Sequence, residues 1–384
     1  MALKKVYRPA GNSIVLKKAP ADAGLFHPFS YQLFQSGTAS LAAAIAACVK
    51  LKKVPTDKPE VILPAYGCPD IVSAVLNAGA KPVLVDLEAD SPCLSCEQIL
   101  KHITDFTAAI ISVNFMGLPG NINRLKDFRK NRDLFLIYDC AQWFPLDKDY
   151  SWPGDFNTIS FGRGKPVNLL HGGAVIPVDT IAEKALPDLS ATKNSTIYNL
   201  TQSLKVRIYN CLIRPSIYRF VSQLPGLNVG QTLYKPFAEI NVMNSFYTEL
   251  IKHNIERFRL QSNTLEYLHK RIASISHPLL INLVSRELGH GPGNLLRYPI
   301  LIKDRKIRNR FYAQTRDYGT SLLYQRPLNQ INGLENILDQ EPVYPNANNF
   351  ADHLVTLPCH EDIDNTVVDL IVSKLCSTLN VSQV

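Results

Sequence analysis

The sequence predicts an α/β protein with a mostly parallel central sheet covered by helices and a smaller C-terminal α+β domain. Strand-like segments alternate with helix-like segments over the first two-thirds of the chain, and these strand segments are apolar throughout. A length of 384 residues suits one large domain and a smaller one. We therefore expect a large domain at 1–240, connecting helices at 241–275 and a small domain at 276–384.

The elements of the large domain follow from hydrophobic spacing and from the turn residues that end each apolar run. The predicted helices are 38–50, 70–78 and 124–131. The predicted strands are 60–63, 82–86, 108–113, 134–138, 158–161 and 174–176. Because ligands bind at the carboxyl ends of the strands in such sheets, the residues that follow these strands are candidates for a site.

The pattern changes after residue 180, where a basic helical insert is expected at about 187–236. Within it, 204–224 has helical spacing but is interrupted at Pro215. The next segment, 237–275, predicts one or two long helices. The tail then reads as a strand at 296–302 and helices at 306–318 and 364–379, which is typical of a small α+β domain.

Composition narrows the classes of function. Hydrophobic residues make up 46% and charged residues 19%, as in a globular protein, and the formal net charge is +8. This charge favours an anionic ligand or surface, but no nucleic-acid-binding motif is present, so we expect no nucleic-acid partner. Cys93 and Cys96 alone have metal-like spacing and lack a second pair, so no metal is expected. The N-terminus lacks the apolar stretch of a signal peptide, which predicts a cytoplasmic protein with free thiols.

Three polar clusters follow strands or open helices. Ser36, Gly37 and Thr38 begin a helix, where exposed N–H groups and the helix dipole can bind a phosphate, although taken alone this motif is better explained as an ordinary N-cap. Asp139 follows a strand and can face a ligand or cap a helix. Lys165 lies in a glycine-flanked turn after Ser160. Together the clusters fit a cofactor that needs a phosphate cradle, a pyridinium partner and a Schiff-base amine.

In the order and spacing of these motifs, the sequence resembles the DegT–DnrJ–StrS family of sugar aminotransferases, which depend on pyridoxal 5'-phosphate (PLP). The resemblance implies the fold-type-I architecture of PLP transferases and spans most of the chain. The matching segments are 36–38, 78–86, 139–142, 160–165 followed by Gly172 and Gly173, 297–299 and 357–360.

The resemblance implies a role for each matching residue. Lys165 would hold the cofactor through a Schiff base and move a proton, and Asp139 would keep the pyridine nitrogen protonated. Gln142 would lie near the phenolic oxygen of the ring. The expected phosphate ligands are Ser36, Gly37, Thr38 and Ser160.

The sequence departs from the family pattern at two positions. His171 stands where the family has an acidic residue, so it is either a substrate contact or a loop histidine with satisfied hydrogen bonds. Cys68 aligns with the aromatic residue that stacks on the ring, which leaves Tyr66 as a stacking candidate. Tyr324 and Arg326 are expected to reach the substrate from the small domain.

The resulting hypothesis is an aminotransferase for polysaccharide biosynthesis, transferring an amino group from an amino acid, by family likeness glutamate, to a nucleotide-linked keto-sugar. The alternatives are a non-catalytic PLP-fold sensor or assembly partner and a sugar deoxygenase, although deoxygenating relatives have histidine in place of Lys165. By resemblance a homodimer is expected. The basic segment 203–224 fits either peripheral contact with an anionic membrane or a helical cover over the active site or a subunit interface.

Overall fold

The computed structural model describes residues 5–20, 25–54, 57–130, 132–147, 150–189, 195–224, 232–260, 263–288, 293–340 and 342–381. A seven-stranded sheet and a three-stranded sheet organise these residues. The strands are β1 (Gln32–Phe34), β2 (Glu60–Pro64), β3 (Lys81–Val85), β4 (Thr107–Val113), β5 (Phe135–Asp139), β6 (Phe156–Ser160), β7 (Gly173–Pro177), β8 (Leu280–Asn282), β9 (Arg297–Ile302) and β10 (Leu354–Pro358).

Fourteen α-helices accompany the strands in the described residues. They are α1 (Gly37–Lys52), α2 (Asp70–Asn77), α3 (Cys96–His102), α4 (Ile122–Lys130), α5 (Thr180–Ala185), α6 (Thr196–Leu212), α7 (Pro215–Val221), α8 (Ser245–Thr248), α9 (Ile251–Arg259), α10 (Asn263–Ala273), α11 (Leu283–Leu288), α12 (Arg305–Thr315), α13 (Pro345–His353) and α14 (Asn365–Leu379). Among the described residues, no helix has both the length and the apolar character that crossing a bilayer requires.

The large sheet has the strand order β1-β7-β6-β5-β4-β2-β3. Strands β3, β2, β4, β5 and β6 are parallel. At one edge of the sheet, β7 pairs antiparallel with β6, and β1 pairs antiparallel with β7. The predicted mostly parallel sheet is therefore confirmed. Because β5 and β6 are parallel neighbours, their carboxyl ends at Asp139 and Ser160 lie at the same edge of the sheet.

Helix α1 is the central helix on one face of this sheet. Its alanine-rich sequence favours a helix and allows close approach to the strands, and nine of its residues are buried. Ser36 caps its N-terminus, since Ser36 Oγ accepts a hydrogen bond from the Ala39 N–H at 3.1 Å. The helix contacts β4, β6 and β7, which fixes its N-terminus beside the strand ends that carry the candidate site.

The connecting segment differs from the prediction of one or two long helices over 237–275. The structure has three shorter helices, α8, α9 and α10, and residues 237–244 are not helical. The reason is pairing with the sheet edge, because Gln35 N donates to Asn241 O at 3.0 Å and Phe34 forms an isolated bridge with Val242. Residues 190–194 and 225–231 of the predicted insert lie outside the described residues.

The small sheet has the order β10-β9-β8 and is antiparallel. Strand β9 matches the predicted strand at 296–302, whereas β10 and the preceding helix α13 were not expected from the sequence. Helix α14 packs against α10 and α12 beside this sheet, with one side of α14 buried in a separate apolar cluster. The domain limits at 240 and 276 remain a prediction.

A long-range cap joins the two sheets. Asp86 follows β3, is 7% exposed, and accepts hydrogen bonds from the backbone N–H groups of Asn346 and Ala347 at 3.0 and 2.8 Å. These groups belong to the first turn of α13, where a helix has unpaired donors and favours a negative charge. The aspartate that ends the 78–86 motif therefore stabilises a helix that lies 260 residues further along the chain.

Replacing Asp86 with alanine should leave two donors of α13 without their buried acceptor. We expect Asp86→Ala to lower the free energy of unfolding by about 2 kcal/mol, measured by urea denaturation. Asp127→Ala is the matched control, because the Asp127 side chain is 82% exposed and its loss should change stability by less than about 0.5 kcal/mol. Equal stability of the two variants would contradict the capping role.

Candidate functional site

Lys165 lies on a tight loop directly after β6. The Lys165 N–H donates to Gly162 O at 3.3 Å, and Gly164 has a left-handed backbone with φ of 72°. The N-terminal segment crosses this loop so closely that a Cβ on Gly11 would lie 2.9 Å from the Gly164 Cα. The loop is thus fixed from both sides, and it holds the half-buried lysine at the carboxyl end of the sheet.

Asp139 ends β5 and is 5% exposed. Its Oδ1 accepts hydrogen bonds from the Ala141 N–H at 2.8 Å and from the Thr158 hydroxyl at 3.3 Å, which leaves Oδ2 without a donor in the described part of the chain. Burial raises the pKa of Asp139, while the Ala141 N–H, the Lys165 ammonium and the Thr158 hydroxyl act in the opposite direction. The carboxylate is therefore enclosed and suited to a cationic partner.

The register of the sheet explains how Asp139 is held. Thr158 of β6 is paired directly with Asp139 of β5 across the parallel ladder. Its hydroxyl can therefore reach the carboxylate without any loop. Thr158 was expected only as part of a strand, because the register between two strands is not visible in the sequence of either one.

The N-terminus of α1 meets Ser160 at close range. A Cβ on Gly37 would lie 2.5 Å from Ser160 Cβ and 2.6 Å from its hydroxyl, so only glycine fits there. The Ser160 hydroxyl also accepts a hydrogen bond from the Gly162 N–H at 3.3 Å. Helix N–H groups, a serine hydroxyl and a glycine loop converge here, which is the composition of an anion site at a helix N-terminus.

Ser36 and Thr38 flank this glycine and are both partly exposed. The Ser36 hydroxyl is engaged as the N-cap of α1, and the Thr38 hydroxyl is 3.5 Å from Asp70 Oδ2. Both roles can coexist with a neighbouring anion, since a hydroxyl accepts and donates at once. The phosphate-binding roles expected for these two residues remain predictions.

Gln142 and Tyr324 meet on the opposite side of the cluster. Gln142 is 7% exposed, and its Nε2 donates to the Tyr324 hydroxyl at 3.2 Å, whereas its Oε1 is enclosed without a hydrogen-bond partner in the described residues. The Cys68 thiol is hydrogen-bonded to the same hydroxyl, and the Lys165 ammonium lowers its pKa. Burial is the main cause that raises the pKa of Cys68 to about 11, so this thiol is neutral at physiological pH.

Tyr66 lies in an aromatic cluster behind this contact. Its ring centroid is 5.7 Å from that of Tyr324, 5.5 Å from Phe115 and 5.1 Å from Phe350, and the residue is 2% exposed. The Tyr66 hydroxyl donates to Tyr324 O at 2.9 Å. Tyr66 thus supports Tyr324, and the ring-stacking role considered for Tyr66 or Cys68 remains a prediction.

His171 lies on the far side of the loop that carries Lys165. Its ring stacks on Tyr247 with centroids 4.9 Å apart and an angle of 9°, and its Nδ1 is buried without a partner in the described residues. Burial lowers the pKa of His171, and the nearby Lys205 acts in the same direction. The ring is therefore neutral and packed, and a substrate contact for His171 remains a prediction.

Arg326 is exposed and borders a surface cavity of about 270 Å³ together with Thr232 and Gln330, and none of the residues around Asp139 lines that cavity. The substrate contact expected for Arg326 remains a prediction. A cavity of about 570 Å³ lies beside Pro166, Cys359 and Arg257. The converging polar groups, rather than either cavity, mark the candidate site.

Arg297 lies near Tyr324, and sequence reasoning did not assign it to the site. It begins β9, and its Nη1 is enclosed with no hydrogen-bond partner in the described residues. Burial lowers the pKa of Arg297, and interactions with Tyr324, Cys359 and Tyr218 oppose this effect. A guanidinium without a carboxylate partner beside Tyr324 is suited to an anionic ligand.

Part of the chain matches a known protein family. Residues 33–198 match the DegT/DnrJ/EryC1/StrS aminotransferase family. An L-glutamine:2-deoxy-scyllo-inosose aminotransferase of Streptomyces kanamyceticus is 31% identical over 159 residues, which are 41% of this chain and 36% of that protein. GDP-perosamine synthase of Escherichia coli O157:H7 is 33% identical over 131 residues, 33% of this chain and 36% of that protein. The match spans about a third of these relatives.

Solved structures extend the likeness of fold over nearly the whole chain. Helicobacter pylori PseC, an aminotransferase involved in the biosynthesis of pseudoaminic acid, covers 98% of this chain and 100% of its own with a TM-score of 0.72 and 15% identity. A DegT DnrJ EryC1 StrS aminotransferase from Brucella abortus covers 95% of this chain and 91% of its own with a TM-score of 0.67 and 17% identity. The chain therefore has the fold of these two aminotransferases.

Proposed function

We propose that this chain, which matches the DegT/DnrJ/EryC1/StrS aminotransferase family over residues 33–198, is a PLP-dependent aminotransferase that acts on a nucleotide-linked keto-sugar. The observation that carries the proposal is the buried Asp139 carboxylate at the end of β5, beside the end of the paired strand β6, whose following loop carries Lys165. The printed activities of the relatives support a sugar acceptor, and glutamate is the donor that the resemblance implies.

The residues present fit PLP in three respects. Among the described residues, the enclosed Oε1 of Gln142 has no hydrogen-bond partner and the Oδ2 of Asp139 has no donor, and the N-terminus of α1 lies against Ser160 as an anion site would require. In this assignment Asp139 faces the pyridine nitrogen, Gln142 the phenolic oxygen and Ser160 the phosphate. Each polar group of the cofactor thereby has a matching group of the protein.

When bound, PLP supplies an electron sink that stabilises negative charge on the carbon that loses a proton. Lys165 would hold the cofactor through its Nζ, and the same amine would accept and return the proton of the substrate carbon. Asp139 would keep a proton at the pyridine nitrogen, because a buried carboxylate favours a neighbouring cation. The hydrogen bonds from Thr158 and the Ala141 N–H hold that carboxylate in position and lower its pKa against the effect of burial.

Lys165 should be the residue to which borohydride fixes the cofactor. We expect the purified protein to take up PLP with a yellow chromophore, and peptide mapping after reduction to find the label on Lys165. Lys165→Ala should abolish the fixed label, whereas Lys184→Ala, at an exposed position of α5, should retain it. A colourless protein that takes up no PLP would contradict the proposal.

The same preparation separates an enzyme from a cofactor-binding protein. Glutamate should convert the chromophore to the amine form of the cofactor if the protein is a transaminase. A chromophore that persists with every amino-acid donor would favour the second candidate, a PLP-binding sensor or assembly partner. The packed, neutral His171 at the position where the family has an acidic residue is the observation that keeps this candidate open.

Arg297 is proposed to bind an anionic group of the substrate, the donor carboxylate or the nucleotide phosphate. Arg297→Met should raise KM for that substrate by at least about tenfold, since a charge-assisted hydrogen bond is lost. The free energy of unfolding of the same variant should be about 1 kcal/mol higher than that of the wild type, because the change removes an enclosed donor that has no partner in the described residues. A variant with unchanged KM, or with lower stability, would contradict this role.

A homodimer is the assembly that we propose, because a symmetric pair is the commonest form of soluble oligomers and the resemblance implies it. A cytoplasmic location remains a proposal, supported by the free cysteines.

A further inference from the structure

Helix α6 presents a row of exposed apolar side chains. Leu200, Leu204 and Ile208 are 66%, 59% and 49% exposed, and they follow each other at intervals of four residues. Residues spaced three or four apart lie on one face of a helix, so these side chains form a continuous apolar stripe. The stripe consists of Ile197, Leu200, Leu204, Ile208 and Leu212.

The opposite face of α6 is attached firmly to the rest of the protein. Val206 is fully buried, and the Asn210 side chain exchanges two hydrogen bonds of 2.8 Å with the backbone of Ile14. The Asn168 side chain donates to the Tyr209 hydroxyl at 2.9 Å. Since the inner face is fixed by specific contacts, the apolar stripe is directed outward by the fold and not by a loose helix.

Basic residues flank the stripe on both sides. At about 100° per residue, Lys205 lies about 100° to one side of Leu204 and Arg207 about 60° to the other. Both are exposed, and Arg214 continues the charge where α7 begins. Phe220, near the end of α7, and Leu224, after α7, are 55% and 56% exposed and extend the apolar surface. The segment 196–224 contains no aspartate or glutamate.

We propose that α6 and α7 bind the surface of an anionic lipid bilayer, with the apolar stripe inserted among the acyl chains. An apolar face bordered by lysine and arginine is the pattern of helices that lie in a membrane interface, where the long cationic side chains reach the lipid phosphates. Each basic residue near such a surface adds to the attraction. The proposal does not depend on the aminotransferase activity.

A second copy of the chain fits this surface less well. A two-fold contact of this segment with its copy would bring together two surfaces that carry cations and no carboxylate. An anionic bilayer supplies the missing negative charge and an apolar phase together. The net charge of +8 acts in the same direction.

Vesicle flotation tests the proposal with the full-length protein. The protein should float with phosphatidylcholine vesicles that contain phosphatidylglycerol and not with vesicles of phosphatidylcholine alone. Binding should weaken at least about tenfold in the variant Leu200→Ser/Leu204→Ser/Ile208→Ser, and by a similar factor in Lys205→Glu/Arg207→Glu. Added salt should weaken binding of the wild-type protein.

Two control variants match these changes elsewhere on the surface. Leu260→Ser/Val343→Ser removes side chains that are 77% and 78% exposed, and Lys306→Glu/Arg310→Glu reverses two exposed charges on α12. Both should bind vesicles like the wild-type protein, and thermal unfolding should show that all four variants are folded.

Three results would overturn the proposal. The first is a wild-type protein that does not float with anionic vesicles. The second is a serine variant of the stripe that binds as tightly as the wild type. The third is a change of oligomeric state in that variant, measured by light scattering, because this would assign the stripe to a contact between two copies.

Discussion

The candidate site depends on the enclosure of one carboxylate at the end of β5. A carboxylate that is withdrawn from water is stable only when hydrogen bonds and a cation compensate it. Asp139 receives two hydrogen bonds on one oxygen, from the Ala141 N–H and the Thr158 hydroxyl, and the charge of Lys165 acts on it from the loop after β6. The parallel pairing of β5 with β6 brings these groups together, so the sheet itself builds the electrostatic centre.

The sequence predicted the groups that lie at strand ends and helix starts. Lys165, Asp139, Ser160 and Gly37 were recognisable because each stands beside a turn or a helix N-terminus whose geometry follows from local sequence. The positions of the parallel strands along the chain were likewise predictable from their apolar runs. The functional hypothesis came from the resemblance of several motifs in one order. No single motif was sufficient for it.

Contacts between distant parts of the chain were not predictable in this way. The carboxylate of Asp86 caps α13, 260 residues further along the chain, and Gln142 donates to Tyr324. Arg297 has an enclosed donor without a partner among the described residues. These depend on how the small sheet packs on the large one. The helices expected over 237–275 were shortened for a similar reason, because residues near Asn241 pair with the edge of the sheet.

The two faces of helix α6 correspond to two alternatives that its sequence left open, a helical cover over the active site and a contact with a membrane. Its inner face covers the loop after Lys165 through the bond between Asn168 and Tyr209, while its outer face exposes the apolar stripe. The sequence showed basic and apolar residues in helical spacing, but only the packing of Val206 and Asn210 decides which face points outward. Covering the site and contacting a membrane are therefore compatible roles for one helix.

The most direct measurement of the central claim is the rate at which glutamate converts the bound cofactor in the variant Asp139→Asn. Asparagine keeps the shape and the hydrogen bond to the Ala141 N–H but removes the negative charge. The account predicts that the variant folds and binds PLP, while single-turnover conversion slows by at least about a hundredfold, because the charge behind the ring is lost. Conversion at the wild-type rate would contradict the role of the buried carboxylate on which the account depends.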